Sequence, residues 1–586
     1  MLAPKYFLYC AQGPGVPNKI EITSNPRVDA YFLGDAGYLE IYIIQPPQPL
    51  WIAERVLAQL AKNAVLLNAP TRLASIKFFK SAVGLLNAYL QAPRFQMDRH
   101  DISSLRLSEF DLPELESILW GRSLLLSEIP SLIKSRGLNL PWDPENWLQA
   151  LYFQGKIQRT AAVSIDELGF PFCRRCGGAQ DIVKLDCIFC GSRGCWTCTQ
   201  CQAMGPAKSC APLYFSEYPA GILAPAGIQP RLKFELTPPQ QRASDTLAGF
   251  LATGQTQFLV WAVCGGGKTE VSFRGVAQVL GQGGRVLFAI PRKDIVIELL
   301  PRFQEAFPNI ETAALYGGGA GRFTDAPLVI ATTHQCLRFY HSFDLVVLDE
   351  ADAFPYQGSA MLHYVVGKAL KPSGHLVIMT ATPDEALIKK AQSGKIPYIS
   401  IPARPHRKPL TVPEIVKMDL KLDGRGDGAW KPPEYVADFI VKAKERGRKV
   451  LIFLPTIKLI DKIGPVLIRA LAVKGVWGAV THSRAKARDQ AKEALVAGRI
   501  DFLVTSTILE RGITIRDLDV LVLNADYETI FDCRTLIQIA GRAGRLGEPA
   551  RVLFIGKVKS KAMKEACELI AAMNREGLEL GYLDYN

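Results

Sequence analysis

An apolar run, Phe258–Ala262, passes directly into Val263-Cys264-Gly265-Gly266-Gly267-Lys268-Thr269 and then into a helix-like stretch. Glycines let the backbone curl until successive N–H groups face one point, where phosphate oxygens fit. From such a loop Lys268 reaches the β- and γ-phosphates, and the Thr269 hydroxyl is placed to ligate Mg²⁺. The strict signature for this loop opens with Gly where this chain has Ala262. Gly265, Gly266, Gly267, Lys268 and Thr269 are nevertheless the expected ATP contacts, because a strand leads in and a helix leads out.

The surrounding sequence fits that arrangement. Phe258–Ala262, Arg285–Ile290, Leu328–Ala331, Leu345–Leu348 and Leu376–Met379 are short, unbroken apolar runs. A second series follows at Val450–Leu454, Val476–Val480, Phe502–Val504, Val520–Leu523 and Val552–Ile555. Runs without alternation fit strands buried on both faces, as in parallel sheets flanked by helices. Ile401–Pro433, rich in Pro, Gly and basic residues, separates the two series. The expected fold class is therefore α/β, with two RecA-like parallel-sheet lobes joined by a linker.

Asp344–Leu348 ends in Asp349-Glu350-Ala351-Asp352. A carboxylate at the C-terminal end of a buried strand lies beside the phosphate loop. Asp349 is expected to hold Mg²⁺, and Glu350 to polarise the attacking water. In the second series, Gln538–Arg545 sets two guanidinium groups three residues apart, on one face if the segment is helical. Closure of the lobes would bring Arg542 and Arg545 to the γ-phosphate. The candidate catalytic set is Lys268, Asp349, Glu350, Arg542 and Arg545.

A motor needs a track. Arg292, followed by Lys293, ends one strand; Thr332, Thr333 and His334 end another; Ser506 and Thr507 occupy the related edge of the second lobe. Hydroxyls and cations at such edges bind successive phosphates without reading sequence. The net charge of +13 leans toward a polyanionic partner, and residues 401–450 carry twelve Lys/Arg against seven Asp/Glu. No run of about 18 apolar residues occurs, and the N-terminus lacks an apolar leader, so neither a membrane span nor secretion is expected.

Eight of the thirteen cysteines fall between Cys173 and Cys210. Cys173/Cys176, Cys187/Cys190 and Cys195/Cys198 are Cys-x-x-Cys pairs, with Cys201 and Cys210 after them. In a long chain without a leader such density points to metal rather than disulfides, and four thiolates suit tetrahedral Zn²⁺. An iron–sulfur cluster or a free-thiol redox module would draw on the same residues.

Before the cysteines, Tyr6–Tyr9 and Tyr38–Ile44 suggest strands. Trp51 to about Leu90 and roughly Leu112–Lys134 suggest helices. Trp147–Phe153, Gly155 and Thr160–Ile165 suggest a winged-helix-like end piece or a helical spacer. The boundaries expected from these patterns are an α+β N-terminal region (1–165), a zinc-ribbon-like cysteine module (166–217), a linker (218–235), lobe one (236–400), a second linker (401–435) and lobe two (436–586).

Together the motifs resemble the superfamily-2 helicases, and most closely the ComFA family of competence helicases. The resemblance rests on Trp261–Glu270 (WAVCGGGKTE), Ala331–Gln335 (ATTHQ), Asp349–Tyr356 (DEADAFPY), Ile401–Leu410 (IPARPHRKPL), Ile508–Thr514 (ILERGIT) and Gln538–Arg545 (QIAGRAGR). It extends to Cys173–Gly177 and Cys198–Gly205. DEAD-box RNA helicases fit less well, since Thr380-Ala381-Thr382 and Gln538–Arg542 depart from their usual SAT and HRxGR spellings. PriA-type replication-restart helicases also carry cysteines, but within the second lobe.

The resemblance implies that Gln240 and Gln538 serve the nucleotide and that Thr380-Ala381-Thr382 couples the lobes. It implies a zinc site at Cys173, Cys176, Cys198 and Cys201; Cys187, Cys190, Cys195 and Cys210 then remain for a second. It further implies a cytoplasmic, ATP-driven single-stranded-DNA translocase at the inner face of the membrane, with ComFC and the DNA-uptake machinery as partners. Rival readings are a PriA-like restart or repair helicase, and a zinc-containing DNA-binding scaffold with a regulatory nucleotide site.

Overall fold

The computed structural model describes residues 5–62, 71–89, 95–105, 116–139, 143–221, 227–319, 321–420, 430–482, 484–485, 488–507 and 515–584. The segment Ile508–Thr514 lies outside them.

The strands Phe7–Gly13, Val16–Thr23, Glu40–Gln45 and Gln96–Asp101 form an antiparallel sheet in which Phe7–Gly13 and Glu40–Gln45 are central. Side chains alternate across it: Leu8, Cys10, Tyr42 and Ile44 join one core, and Tyr9, Ala11, Ile41 and Ile43 the other. A strand period of two thus fills both faces.

The next stretch departs from the sequence reading. Within 116–134 the expected helix is broken by the strand Arg122–Leu125, buried at all four positions, and a true α-helix begins only at Ile129. Arg122–Leu125 and Gln158–Ala161 flank Pro212–Ser216 in a three-stranded antiparallel sheet. The helix Pro144–Phe153 feeds the strand Gln158–Ala161, whose partner Pro212–Ser216 comes from beyond the cysteines. Arg122-Ser123-Leu124-Leu125 shows no period of two, and so short a run reads equally well as helix from spacing alone.

The cysteine module hangs from this sheet. Its three-stranded ribbon places Cys195–Cys198 between Ile182–Leu185 and Ala207–Lys208.

Two parallel sheets follow. In the first, strands beginning at Thr312, Leu328, Val286, Phe343, Leu370, Gln257 and Tyr398 lie side by side in that order. In the second the order runs Glu414, Val552, Leu518, Lys449, Phe502, Gly478. Every ladder in both sheets is parallel. All ten apolar runs singled out in the sequence are strands here. The fold is α/β, with two RecA-like lobes. Among the described residues, no helix is long and apolar enough to cross a membrane.

Candidate active site and its lobe contacts

The strand Gln257–Ala262 delivers the glycine loop to the helix Lys268–Gly281, whose N-cap is Gly267 in the left-handed region (φ 77°). Gln240 lies beneath this loop, buried. Its Nε2 donates to the Gly266 carbonyl (3.0 Å), while its Oε1 accepts from the Thr237 N–H (2.9 Å). A Cβ on Gly267 would stand 2.2 Å from that Nε2. Gln240 thus holds the shape of the loop from below.

Asp349 closes the strand Phe343–Asp349 and is buried. Burial pushes its carboxyl up to about 6; the Lys268 ammonium opposes this and the Glu350 charge adds to it. A buried carboxylate held ionised only with help is one that a divalent cation would stabilise, so Asp349 and Thr269 fit an Mg²⁺ ion. Glu350 follows with φ 55°, its N–H bonded to Asp349 Oδ1 (2.8 Å). A non-glycine residue in this region is uncommon and turns its side chain away from the strand direction. A cleft of about 690 Å³ brings Gly265–Thr269, Asp349 and Glu350 together with His406, Lys492 and Arg545. Carboxylate, ammonium and guanidinium groups therefore face one volume, an arrangement that phosphoryl-transfer chemistry can use.

Arg542 and Arg545 do not share a helix face. The helix Cys533–Ala540 ends before them, and the chain turns through Gly544 (φ 57°). Arg545 lines the cleft; Arg542 is buried away from it. The cause is Arg404, a residue that sequence reasoning passed over. Its Nη2 donates to the Gly541 carbonyl (2.7 Å), its Nη1 to those of Ala543 (3.0 Å) and Gly544 (2.8 Å), and its Nε to that of Cys264 in the loop (2.9 Å). Helix-end carbonyls need partners, and here a buried guanidinium supplies them. The signal was present as an arginine in the Pro-rich Ile401–Leu410 stretch, but nothing in the sequence marks what it touches.

A second contact joins the lobes. Asp352 accepts from Thr380 Oγ1 (2.7 Å), Thr382 Oγ1 (2.8 Å) and Gln538 Nε2 (3.1 Å). Gln538 Oε1 faces Cys264 Sγ (3.1 Å). Gln538 thus lies against the acidic box and the glycine loop rather than in the 690 Å³ cleft.

At the carboxyl edge of lobe one, Ile290 pairs with Thr332, so Arg292 and His334 extend from neighbouring strands. Thr332 and Thr333 are buried, and only His334, Arg292, Ser506 and Thr507 are partly open. Burial lowers the His334 pKa, which favours the neutral imidazole. This edge is braced from behind. Arg338 bonds Gln335 Oε1 (2.6 Å) and Glu128 (2.9 Å), and Glu128 pairs in turn with the buried Arg175 (2.8 Å) between Cys173 and Cys176. Lys368 adds a bond to the Arg175 carbonyl (2.7 Å).

The eight cysteines converge in two groups, Cys173/Cys176/Cys198/Cys201 and Cys187/Cys190/Cys195/Cys210, the sulfurs of each lying within 4.8 Å of one another. In the first, Cys173–Cys201 and Cys176–Cys198 are 3.8 and 3.6 Å apart. Disulfides require about 2.05 Å, whereas four sulfurs about 2.3 Å from a tetrahedral zinc sit roughly 3.8 Å apart. Both groups are compatible with zinc.

Residues 108–215 match the family described as the competence protein ComFA N-terminal domain, 233–385 the type III restriction enzyme res subunit, and 431–547 the helicase conserved C-terminal domain. The chain is 34% identical over 468 residues to competence protein ComFA of Bacillus subtilis, covering 79% of this chain and 95% of that protein. It is 33% identical over 419 residues to competence protein ComFA of Streptococcus pneumoniae, covering 70% and 92%. Among solved structures, RecG bound to a three-way DNA junction matches with a TM-score of 0.42 at 20% identity, over 61% of this chain and 53% of that one.

Proposed function

This chain belongs to the ComFA family of competence proteins and is an ATP-dependent helicase-type ATPase; we propose that it works as a single-stranded-DNA translocase that drives DNA uptake. The observation that carries this reading is the shared cleft: Lys268, Asp349 and Glu350 from one lobe face Arg545 from the other. Hydrolysis is then tied to the distance between lobes, which is what a ratchet needs.

In this mechanism Lys268 and the loop N–H groups bind the phosphates. Asp349 and Thr269 would hold Mg²⁺, which would supply neutralisation of phosphate charge. Glu350 orients the attacking water, and Arg545 stabilises charge that develops on the transferring group. Asp352, Thr380, Thr382 and Gln538 relay closure between the lobes. Arg292, His334, Ser506 and Thr507 grip the strand through its phosphates. Cys173, Cys176, Cys198 and Cys201 would hold zinc, and Arg175 between them carries the Glu128–Arg338 brace behind that edge. Family membership is what supports the further reading of a role in DNA uptake, a place at the inner face of the membrane and partnership with ComFC and the uptake machinery.

The test is ATPase activity with and without single-stranded oligonucleotides, with Lys268→Ala as control. Stimulation of tenfold or more is expected, and its absence would sink the motor reading. Strand-displacement assays on forked duplexes then separate translocation alone from the restart-type unwinding of the rival reading.

A further inference from the structure

One backbone device occurs twice in the cysteine module. In Cys173–Gly177 the left-handed Gly177 (φ 75°) donates its N–H to the Cys173 carbonyl at 2.8 Å. In Cys187–Gly191 the left-handed Gly191 (φ 71°) donates to the Cys187 carbonyl, also at 2.8 Å. This turn aims two sulfurs the same way, and only a residue without Cβ enters it freely. Around the second turn, Cys187–Cys210 and Cys195–Cys210 are 3.8 and 3.7 Å apart, the separations of a tetrahedral tetrathiolate. Lys208 Nζ lies 3.6 Å from Cys187 Sγ, and Ser209 Oγ lies 3.4 Å from Cys195 Sγ, so donors already face these sulfurs.

The two groups differ in what surrounds them. The proximal sulfurs (Cys173, Cys176, Cys198, Cys201) belong to a core that also contains Leu337, Phe339 and Val365 of the motor lobe. The distal cluster consists of cysteines alone. Between the proximal pair, Arg175 is buried and bonded to Glu128, Met204 and Gly205. Between the distal pair, Ile188 is 86% and Phe189 41% exposed. The strand Cys195–Cys198 gives one ligand to each group from its opposite ends, about 10 Å apart at strand rise. That distance separates two ions rather than joining one cluster.

We propose that Cys187, Cys190, Cys195 and Cys210 form a second, peripheral zinc site that loads and empties independently of the motor. Binding exchanges thiol protons for one divalent cation, with no change of oxidation state. With no apolar core of its own, the distal loop takes its shape from the metal, whereas the proximal site is also held by lobe one. The distal ion is therefore the first to leave. This inference stands apart from the translocase reading, because its tests count and time metal rather than follow DNA.

The experiment uses the full chain, purified under reductant, with zinc counted by native mass spectrometry and its release to a colorimetric chelator followed in time. Two zinc ions per chain and two release phases are expected. The Cys187→Ser/Cys190→Ser variant should carry one ion, lose the fast phase, and keep its Tm and DNA-free ATPase within twofold. With Co²⁺ in place of zinc, the thiolate charge-transfer band of that variant should fall by half. One zinc in the unaltered chain, two in the variant, release in a single phase, or a fall in the variant's Tm each overturns the proposal.

Discussion

Arg404 Nε donates to the carbonyl of Cys264 at 2.9 Å, so a linker side chain joins the glycine loop to the turn that carries Arg545. Three of its four bonds reach the second lobe and the fourth reaches the first, so this one side chain spans both. Arg404→Ala should lower the kcat of ATP hydrolysis about tenfold or more, with a smaller change in KM, because three of the four lost contacts set the turn that carries Arg545 and only one touches the glycine loop. Arg404→Lys should restore only part of the rate, since one ammonium cannot span four carbonyls. Steady-state ATPase with nucleotide titration checks this; equal loss in both variants with a fallen Tm would mark a purely structural role.

Asp349 sets a trade between stability and chemistry. Its folded pKa of about 6 exceeds the ordinary 3.8. Its contribution to stability is present below about pH 4 and lost as pH rises through 6. The metal-free chain above that pH carries a penalty of roughly 3 kcal/mol. Asp349→Asn should therefore raise unfolding stability at pH 7.5, leave it nearly unchanged at pH 4, and abolish hydrolysis. In the unaltered enzyme the Mg²⁺ needed for half-maximal rate should climb as pH falls below 6.

Gly267 has no room for a side chain. Gly267→Ala places a methyl 2.2 Å from Gln240 Nε2 and forces alanine to φ 77°. The backbone cost alone is about 1–2 kcal/mol. Nucleotide affinity should drop at least tenfold, as read by a fluorescent ATP analogue, and Gln240→Ala in the same chain should recover part of it by making space.

Glu128 neutralises Arg175 and Arg338 together. Glu128→Ala leaves both guanidinium groups without their carboxylate, a loss of about 3–5 kcal/mol for a buried pair. DNA stimulation of the ATPase should fall further than the DNA-free rate, because Arg338 also holds Gln335 beside His334. A proportional fall in both rates would leave the brace no part in DNA coupling.

The two sheets were legible because Phe258–Ala262, Leu345–Leu348 and their counterparts are buried on both faces and so read as unbroken apolar runs. The edge strands Thr312–Leu315, Tyr398–Ile401 and Glu414–Lys417 escaped, since each has only four residues and carries too few buried side chains to form an unbroken apolar run. In the N-terminal sheet, Gln96–Asp101 is polar except for Met97 and gave no strand pattern; Glu40–Gln45 supplies its ladder. The cleft residues Lys268, Asp349, Glu350 and Arg545 were readable from local spelling. Arg404 and Glu128 were not, because their roles consist of partners distant in sequence: 139 residues from Arg404 to Ala543, and 47 and 210 from Glu128 to Arg175 and Arg338.

The cysteine module leaves and rejoins its sheet at one place: Ala161 pairs with Pro212, and the Ala162 N–H bonds the Ala211 carbonyl. Fifty residues thus form a closed excursion whose ends are already side by side. A segment attached in this way can be lengthened, shortened or exchanged in a lineage, or by an engineer, without re-registering the strands beneath it. The outer knuckle, whose cysteines share no core with the motor lobe, is the part of that excursion where a change of length leaves those strands in register.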